Sequence, residues 1–569
     1  MLSRLFKADS SAPCRGGWRQ RNAQAERERS RSAVPTFSRS VRRAMQEWGG
    51  GLISGENLRG RMLDLVADNE SDVLAQRLSR VGQRAQQGIM KLMRECGFHD
   101  MVTKVDSDVT SVVLPSSHFK HKFQHFDSWV RDFGARECEL QVFWESLFST
   151  AEGREYASLH PFLANASPHD LRHTVPLTIH EDAAPFTKTQ SCNTVCMGSA
   201  VTSGVETKLP LFTFVKTIGT DDPILAWNIV LSDFDALFTD GIVGPDGITW
   251  KGCLVFAKPD LEVATVTWGL PSYNSAAEMC GWCLADRDHR PYTDLGSAAR
   301  WRSTYDMPNV MFNARVRDSP KHPLAASHYM NKFFVRIDTM HVVDHKGVAS
   351  NVAGGVLALL LRDLRLGRNQ DARLERLNLE KKEFEKTHRV QHRMPTIRLN
   401  NVLRAGDWHI LLGPVVKAAN TRALMPWIEH LTLTYFADES DKHKSLRKCA
   451  TALNDFYRVL YVGGQFLTAA ELETLKNALL KFGRHYQYLR RLLHNDLVFP
   501  ITPKVHVMMH LYEQAKLINP RFVQNYAEES FQYKMQRVWR QSANGPYKEH
   551  IQTVVLIKCL VHEHVRVME

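Results

Sequence analysis

Leu177-Thr-Ile-His-Glu-Asp-Ala-Ala-Pro185 alternates apolar and polar residues before running into small residues and a proline. That is the pattern of a β-strand delivering an acid, Asp182, into a turn. Two later acidic positions fit beside it. Asp338 ends a second strand-like run, Phe333-Phe-Val-Arg-Ile337, and Glu528-Glu529 falls inside a helical pattern. Taken singly, each acid reads as a turn or cap residue. Taken together, carboxylates from strand, strand and helix suit a pair of divalent ions about 3.5 to 4 Å apart, the requirement of two-metal phosphoryl transfer. Hard oxygen donors favour Mg2+ or Mn2+.

Working outward, Val175–His180, Cys192–Val201 and Leu209–Val215 read as three consecutive strands, and residues 222–239 as a helix. An uncertain stretch then leads to the strand ending at Asp338. Three strands, helices and a strand with an acid at its end follow the RNase H-like order, so the expected fold class is α/β with an RNase H-like mixed sheet. The core would comprise residues 170–350 and 501–569, the latter with the Glu helix. A large all-α insertion, 351–500, precedes the last acid, with helices over Leu361–Arg393, Leu411–Phe436, Lys444–Leu460 and Ala469–Asn495.

A helical N-terminal region, 55–165, carries one apolar face at Leu74, Leu78 and Val81 and another at Phe133, Leu140, Phe143, Trp144 and Leu147. Between them, His118-Phe-Lys-His-Lys-Phe-Gln-His-Phe126 mixes basic and aromatic residues. It reads either as a nucleic-acid contact or as a polar helix tacked down by its phenylalanines. Residues 1–50, rich in Arg, Ser and Gly, read as a disordered basic tail. Their start, Met1–Lys7, is also compatible with an organelle presequence.

The chain has 569 residues, 44% of them hydrophobic and 24% charged, with a net charge of +12. That balance belongs to a globular protein and points to polyanionic partners. The longest apolar run, Val356–Leu361, stops at Arg362, so no membrane span is expected. Ten cysteines read as reduced intracellular thiols, in nucleus or cytoplasm.

The residues around the acids carry a resemblance. His180-Glu-Asp-Ala-Ala-Pro-Phe-Thr-Lys188 resembles the segment around the first catalytic Asp of CACTA (En/Spm-like) transposases. Asp338-Thr-Met-His341 matches the Asp-x-x-His signature of many cut-and-paste transposases, and Tyr526-Ala-Glu-Glu-Ser-Phe-Gln-Tyr-Lys-Met-Gln-Arg537 is similar to their Glu helix. The resemblance implies a DDE-type recombinase in the nucleus. Asp182, Asp338 and Glu529, with Glu528 as alternate, would hold two Mg2+ or Mn2+ ions beside His341. Arg537, Arg540 and Lys188 would bind DNA, both transposon ends and target. Self-association stays open. A domesticated relic, a non-catalytic DNA-binding scaffold and a cellular RNase H-like nuclease are the alternatives.

Cys280-Gly-Trp-Cys283 has zinc-knuckle spacing, and His506-Val-Met-Met-His510 places two imidazoles on one helical face. The same transposases carry such pairs, which implies a structural Zn2+. Here, however, the Cys pair precedes Asp338, whereas Transib-like recombinases have it after the second Asp. Three readings stand: one Cys2His2 site, the cysteines with another ligand such as His289, or histidines in local hydrogen bonds with Met508 and Met509 in the core.

Overall fold

The computed structural model describes residues 39–567, apart from 68–77, 79–84, 96–97, 106–109, 125, 216–222, 272–277, 306, 308, 318–321, 404–406 and 544–550. Most of the expected tail, with its presequence-like start, therefore lies outside the described residues, as do Leu74 and Val81. The chain divides into two compact units. The first contains the described segments up to Glu145, Pro161–Ala257 and those from Tyr526 onward; the second contains Ser146–His160 and Lys258–Asn525.

The first unit is built on a seven-stranded mixed sheet. Its strands are β1 (Val102–Val105), β2 (Thr110–Val113), β3 (Thr174–Pro185), β4 (Ser191–Ser199), β5 (Leu209–Val215), β6 (Ile242–Val243) and β7 (Thr249–Ala257). They lie in the order β1-β2-β5-β4-β3-β7-β6. All neighbours are antiparallel except β3 and β7, whose ladder runs parallel from Thr174↔Lys251 to Ile179↔Ala257. The three strands expected from alternation are β3, β4 and β5, and the helix expected after them is Pro223–Thr239.

The fourth principal strand is β7, out of the stretch that periodicity left uncertain. Its end, Gly252 to Ala257, is buried throughout, so it reads as a continuous apolar run rather than an alternating one. Phe333–Ile337, expected as that strand, is none of the seven. Asn331 Oδ1 accepts from the amides of Phe333 (2.9 Å) and Phe334 (3.0 Å), and Gln514 Oε1 from that of Ile337 (3.3 Å). Side-chain acceptors thus take amides that a ladder would use. Arg336, which alternation would turn outward, is buried, with its guanidinium on the carbonyls of Gln514 and Phe333.

Part of the expected disordered tail is helical instead. Arg39–Gly49 is a helix, because Val41, Ala44, Met45 and Trp48 recur at helical spacing and are all buried. They pack in one core cluster with Leu556, Ile557, Leu560 and Val561 of the last helix, Ile551–Val567. A Cβ at Gly49 would lie 2.5 Å from the Lys558 carbonyl oxygen, so this close helix crossing requires glycine. The 55–165 region is helical as expected but also supplies β1 and β2. Its second apolar face is buried at Phe133, Leu140, Phe143, Trp144 and Leu147. In the His118 stretch, His118, Phe119, His121, Lys122 and Phe123 are buried. That favours the core reading over nucleic-acid contact.

The second unit is helical. Val348–Leu360, apolar apart from Ser350 and Asn351, is buried at every residue. Four longer helices accompany it: Gln370–Thr387, Ala418–Tyr435, Asp441–Val462 and Ala469–Leu492. The first is shorter than the expected Leu361–Arg393. Leu361 caps the preceding helix, and Asn369 starts the new one by accepting from Ala372 N at 2.9 Å.

Candidate functional site

In the sheet unit, β3 carries Glu181 and Asp182 to opposite faces. Glu181 is buried, and Asp182 is half-buried with Oδ1 accepting from Ala183 N. The helix Tyr526–Ala543 supplies both glutamates and holds β3 along one polar stripe. Gln532 Nε2 donates to the Asp182 carbonyl at 2.9 Å, Gln536 Nε2 to that of Pro185, and Arg540 Nε to that of Phe186 at 3.0 Å. Residues 532, 536 and 540 recur every four positions, a helical stripe legible in sequence once the partner strand is known. Below this polar contact, Phe531, Met535, Val538 and Trp539 pack on Cys192, Cys196 and Val215.

Glu528 and Glu529 have different environments. Glu528 is buried and ion-paired with the buried Lys208 at 3.0 Å. Glu529 is half-buried. Of the residues expected to bind DNA, Lys188 and Arg540 are exposed, whereas Arg537 lies half-buried with its guanidinium 5.2 Å from the Tyr533 ring centre. Arg540 therefore braces the Asp182 turn while its side chain reaches solvent.

Asp338 belongs to the helical unit, so within each unit the structure brings together Asp182 with the Glu helix, and Asp338 with His341. The Asp338 carboxylate is buried and nearly saturated. Oδ1 accepts from Met340 N and Asn525 N, both at 3.0 Å, while Oδ2 meets His341 N at 3.2 Å and His341 Nδ1 at 2.6 Å. Burial would raise its pKa, but the His341 hydrogen bond and charge and the two amides outweigh burial and hold it below the usual carboxylate range. Asn525 Nδ2 also donates to the Lys258 carbonyl at 3.1 Å. Lys258 directly follows β7, and Asn525 directly precedes the Glu helix. Asp260, which sequence reading missed, lies three residues beyond Ala257, as Asp182 lies three beyond Ile179, its partner in the β3–β7 ladder. Its Oδ1 accepts from Val263 N at 2.6 Å.

Cys280, Cys283, His506 and His510 converge in the core of the helical unit, their donor atoms all within 4.8 Å of one another and all four residues buried. Cys280 Sγ is 3.4 Å from His510 Nε2, Cys283 Sγ 3.3 Å from His506 Nε2, and the two Nε2 atoms 3.1 Å apart. A tetrahedral zinc with bonds of about 2.3 Å to sulfur and 2.0 to 2.1 Å to nitrogen gives S···N edges of about 3.5 Å and N···N edges of about 3.3 Å. The donor set fits. His289 is exposed and outside this group.

The surrounding residues fix these four side chains. Trp282 N donates to Cys280 Sγ, and Arg315 Nη2 donates to the carbonyls of Cys280 and Cys283 at 2.7 and 3.3 Å, holding the knuckle turn. The Trp301 ring lies edge-on against both imidazoles. Burial pushes the Cys280 thiol up, but the Cys283 hydrogen bond and the charges of His510 and His506 bring it well below its ordinary value. Burial and the neighbouring Cys280 push Cys283 up. Two sulfurs and two imidazole nitrogens converging in one buried space are a metal-ready set. Met508 and Met509 are buried beside it, so the core reading of the methionines holds as well.

Compared with models of known protein families and with curated proteins, the chain matches none.

Proposed function

We propose that this chain is a DDE-type, transposase-like recombinase with an RNase H-like core, in which Asp182, Asp338 and Glu529 hold two Mg2+ or Mn2+ ions and DNA is the substrate. The observation that carries the reading is the β5-β4-β3-β7 order, three antiparallel strands and a fourth returning parallel beside the first. Asp182 lies on that first strand, and the Glu helix grips the same strand. The Cys2His2 cluster supports the same reading, with Zn2+ as a structural ion. In this scheme Asp182, Asp338 and Glu529 would hold the ions, which would supply charge stabilisation; water would displace the 3′-oxygen from phosphorus to free a 3′-hydroxyl, and that hydroxyl would then displace a 3′-oxygen from a target-strand phosphorus.

One observation favours a non-catalytic scaffold that kept the fold. Asp338 already accepts four hydrogen bonds, about the number of lone-pair sites a carboxylate offers, so His341 must release it before it can bind a metal. Mg2+-dependent nicking of plasmid and transfer of a pre-cut end separate the readings. The enzyme reading expects both activities to vanish in Asp182→Ala and Glu529→Gln. Retention in Asp338→Ala with loss in Asp260→Ala would move the second metal ligand to Asp260. Absence of Mg2+-dependent nicking from the purified wild type would leave the scaffold.

A further inference from the structure

Apart from the acids and the Cys/His cluster, the helical unit contains an open groove of about 800 Å3 whose lining includes Tyr292, Trp408, Arg490, Arg491, His494 and Pro503. Its volume falls within the range of roughly 300 to 1,000 Å3 of clefts that enclose organic ligands. Trp408 is half-buried, and the Arg490 guanidinium lies 4.5 Å from its ring centre. Arg491 and His494 are exposed, with His494 Nδ1 held 3.1 Å from the Arg491 carbonyl.

The wall that presents Trp408 is anchored. His409 N donates to the Leu497 carbonyl at 2.8 Å, and Leu411 N to the Ser350 carbonyl of the Val348–Leu360 helix at 3.0 Å. The backbone at Ile410 comes so near that helix that a Cβ on Gly354 would lie 2.4 Å from Ile410 Cα. Asp407, the groove's acid, has Oδ1 accepting from Trp408 N at 2.7 Å, which directs one carboxylate oxygen at its own chain. The groove thus offers an indole, a stacked guanidinium, a second guanidinium and an imidazole on a fixed support.

We infer that this groove binds single-stranded nucleic acid, with an unpaired base against the Trp408–Arg490 pair and phosphates on Arg491 and His494. Duplex bases hide their faces in the stack, so an indole platform selects unpaired strands, while guanidinium forks match phosphate oxygens. Two arginines against one acid give the charge complementarity. The inference goes beyond the recombinase reading and does not rest on its metal site; oligonucleotide binding should persist without divalent ions.

The test measures fluorescence anisotropy of a labelled short oligothymidylate with the full chain. Trp408→Ala should weaken binding about tenfold, and Trp408→Phe should recover most of it. Arg491→Ala should lower the slope of log affinity against log salt by about 0.7, the share of one phosphate contact on a single strand. Photocross-linking of a bromodeoxyuridine oligonucleotide to the wild-type chain should label Trp408 or Tyr292, and this readout stands even where a variant fails to fold. Unchanged affinity and salt slope in these variants, tighter binding of a matched duplex, or cross-links confined to residues outside the groove would each overturn the inference.

Discussion

Glu528 and Glu529 are adjacent, yet their surroundings assign them different work. Glu528→Gln would strand the buried Lys208 without its counter-charge, a loss of about 3 to 5 kcal/mol. Glu529→Gln, at a half-buried position, should cost less stability than Glu528→Gln and abolish nicking instead. Denaturant unfolding beside the nicking assay separates the two. A pH dependence belongs at this scale as well. Glu563 and Asp132 are buried against Lys122, Lys534 and the half-buried Arg566. Burial would raise both acids, but Lys534 and Lys122 lead the charges that hold Glu563 low, and Lys122 and Arg566 do the same for Asp132. A carboxylate with a depressed folded pKa contributes stability that is complete above its unfolded value, about 4, and is lost as pH falls through the folded value. The thermal midpoint should therefore hold near neutral pH and fall progressively below about pH 4. Glu563→Gln should be less stable at neutral pH and show a shallower acid fall. Alternation along Leu177–Pro185 was enough to place Asp182 on a strand. The partners of the acids were not legible, because Lys208, Asn525 and Gln532 come from distant segments and carry no local pattern.

At the scale of elements, the sequence is readable where polar residues punctuate the apolar ones, even though β4 and β5 are buried almost throughout. β3, β4 and β5 and the Pro223–Thr239 helix follow their periodicities. β7 is covered on both faces and loses the alternation that identifies a strand, while Phe333–Ile337 has strand-forming residues but gives its amides to Asn331 and Gln514. Composition likewise hid the Arg39–Gly49 helix, because four buried side chains among arginines look like a tail until the last helix covers them. Trp48→Ala should accordingly destabilise the protein by about 3 to 5 kcal/mol in denaturant unfolding. A disordered tail would show no change.

For the molecule as a whole, the Cys/His pairs were legible as spacings, whereas their convergence depended on the fold. One zinc per chain is expected by elemental analysis, lost in Cys283→Ser and in His510→Ala. Chelation should lower the melting temperature, because ligand-set assembly and folding are coupled. The chain's path gives the Asn525 contacts another meaning. Lys258 and Asn525 open and close the longest segment of the helical unit, and a 3.1 Å hydrogen bond ties them together. A segment whose two ends meet behaves as a long loop closed at its base, and lengthening such a loop costs only about 0.6 kcal/mol per doubling. Changes of length inside Lys258–Asn525 should therefore cost little at its base, whereas removing the segment would take Asp338 and the Cys/His cluster with it.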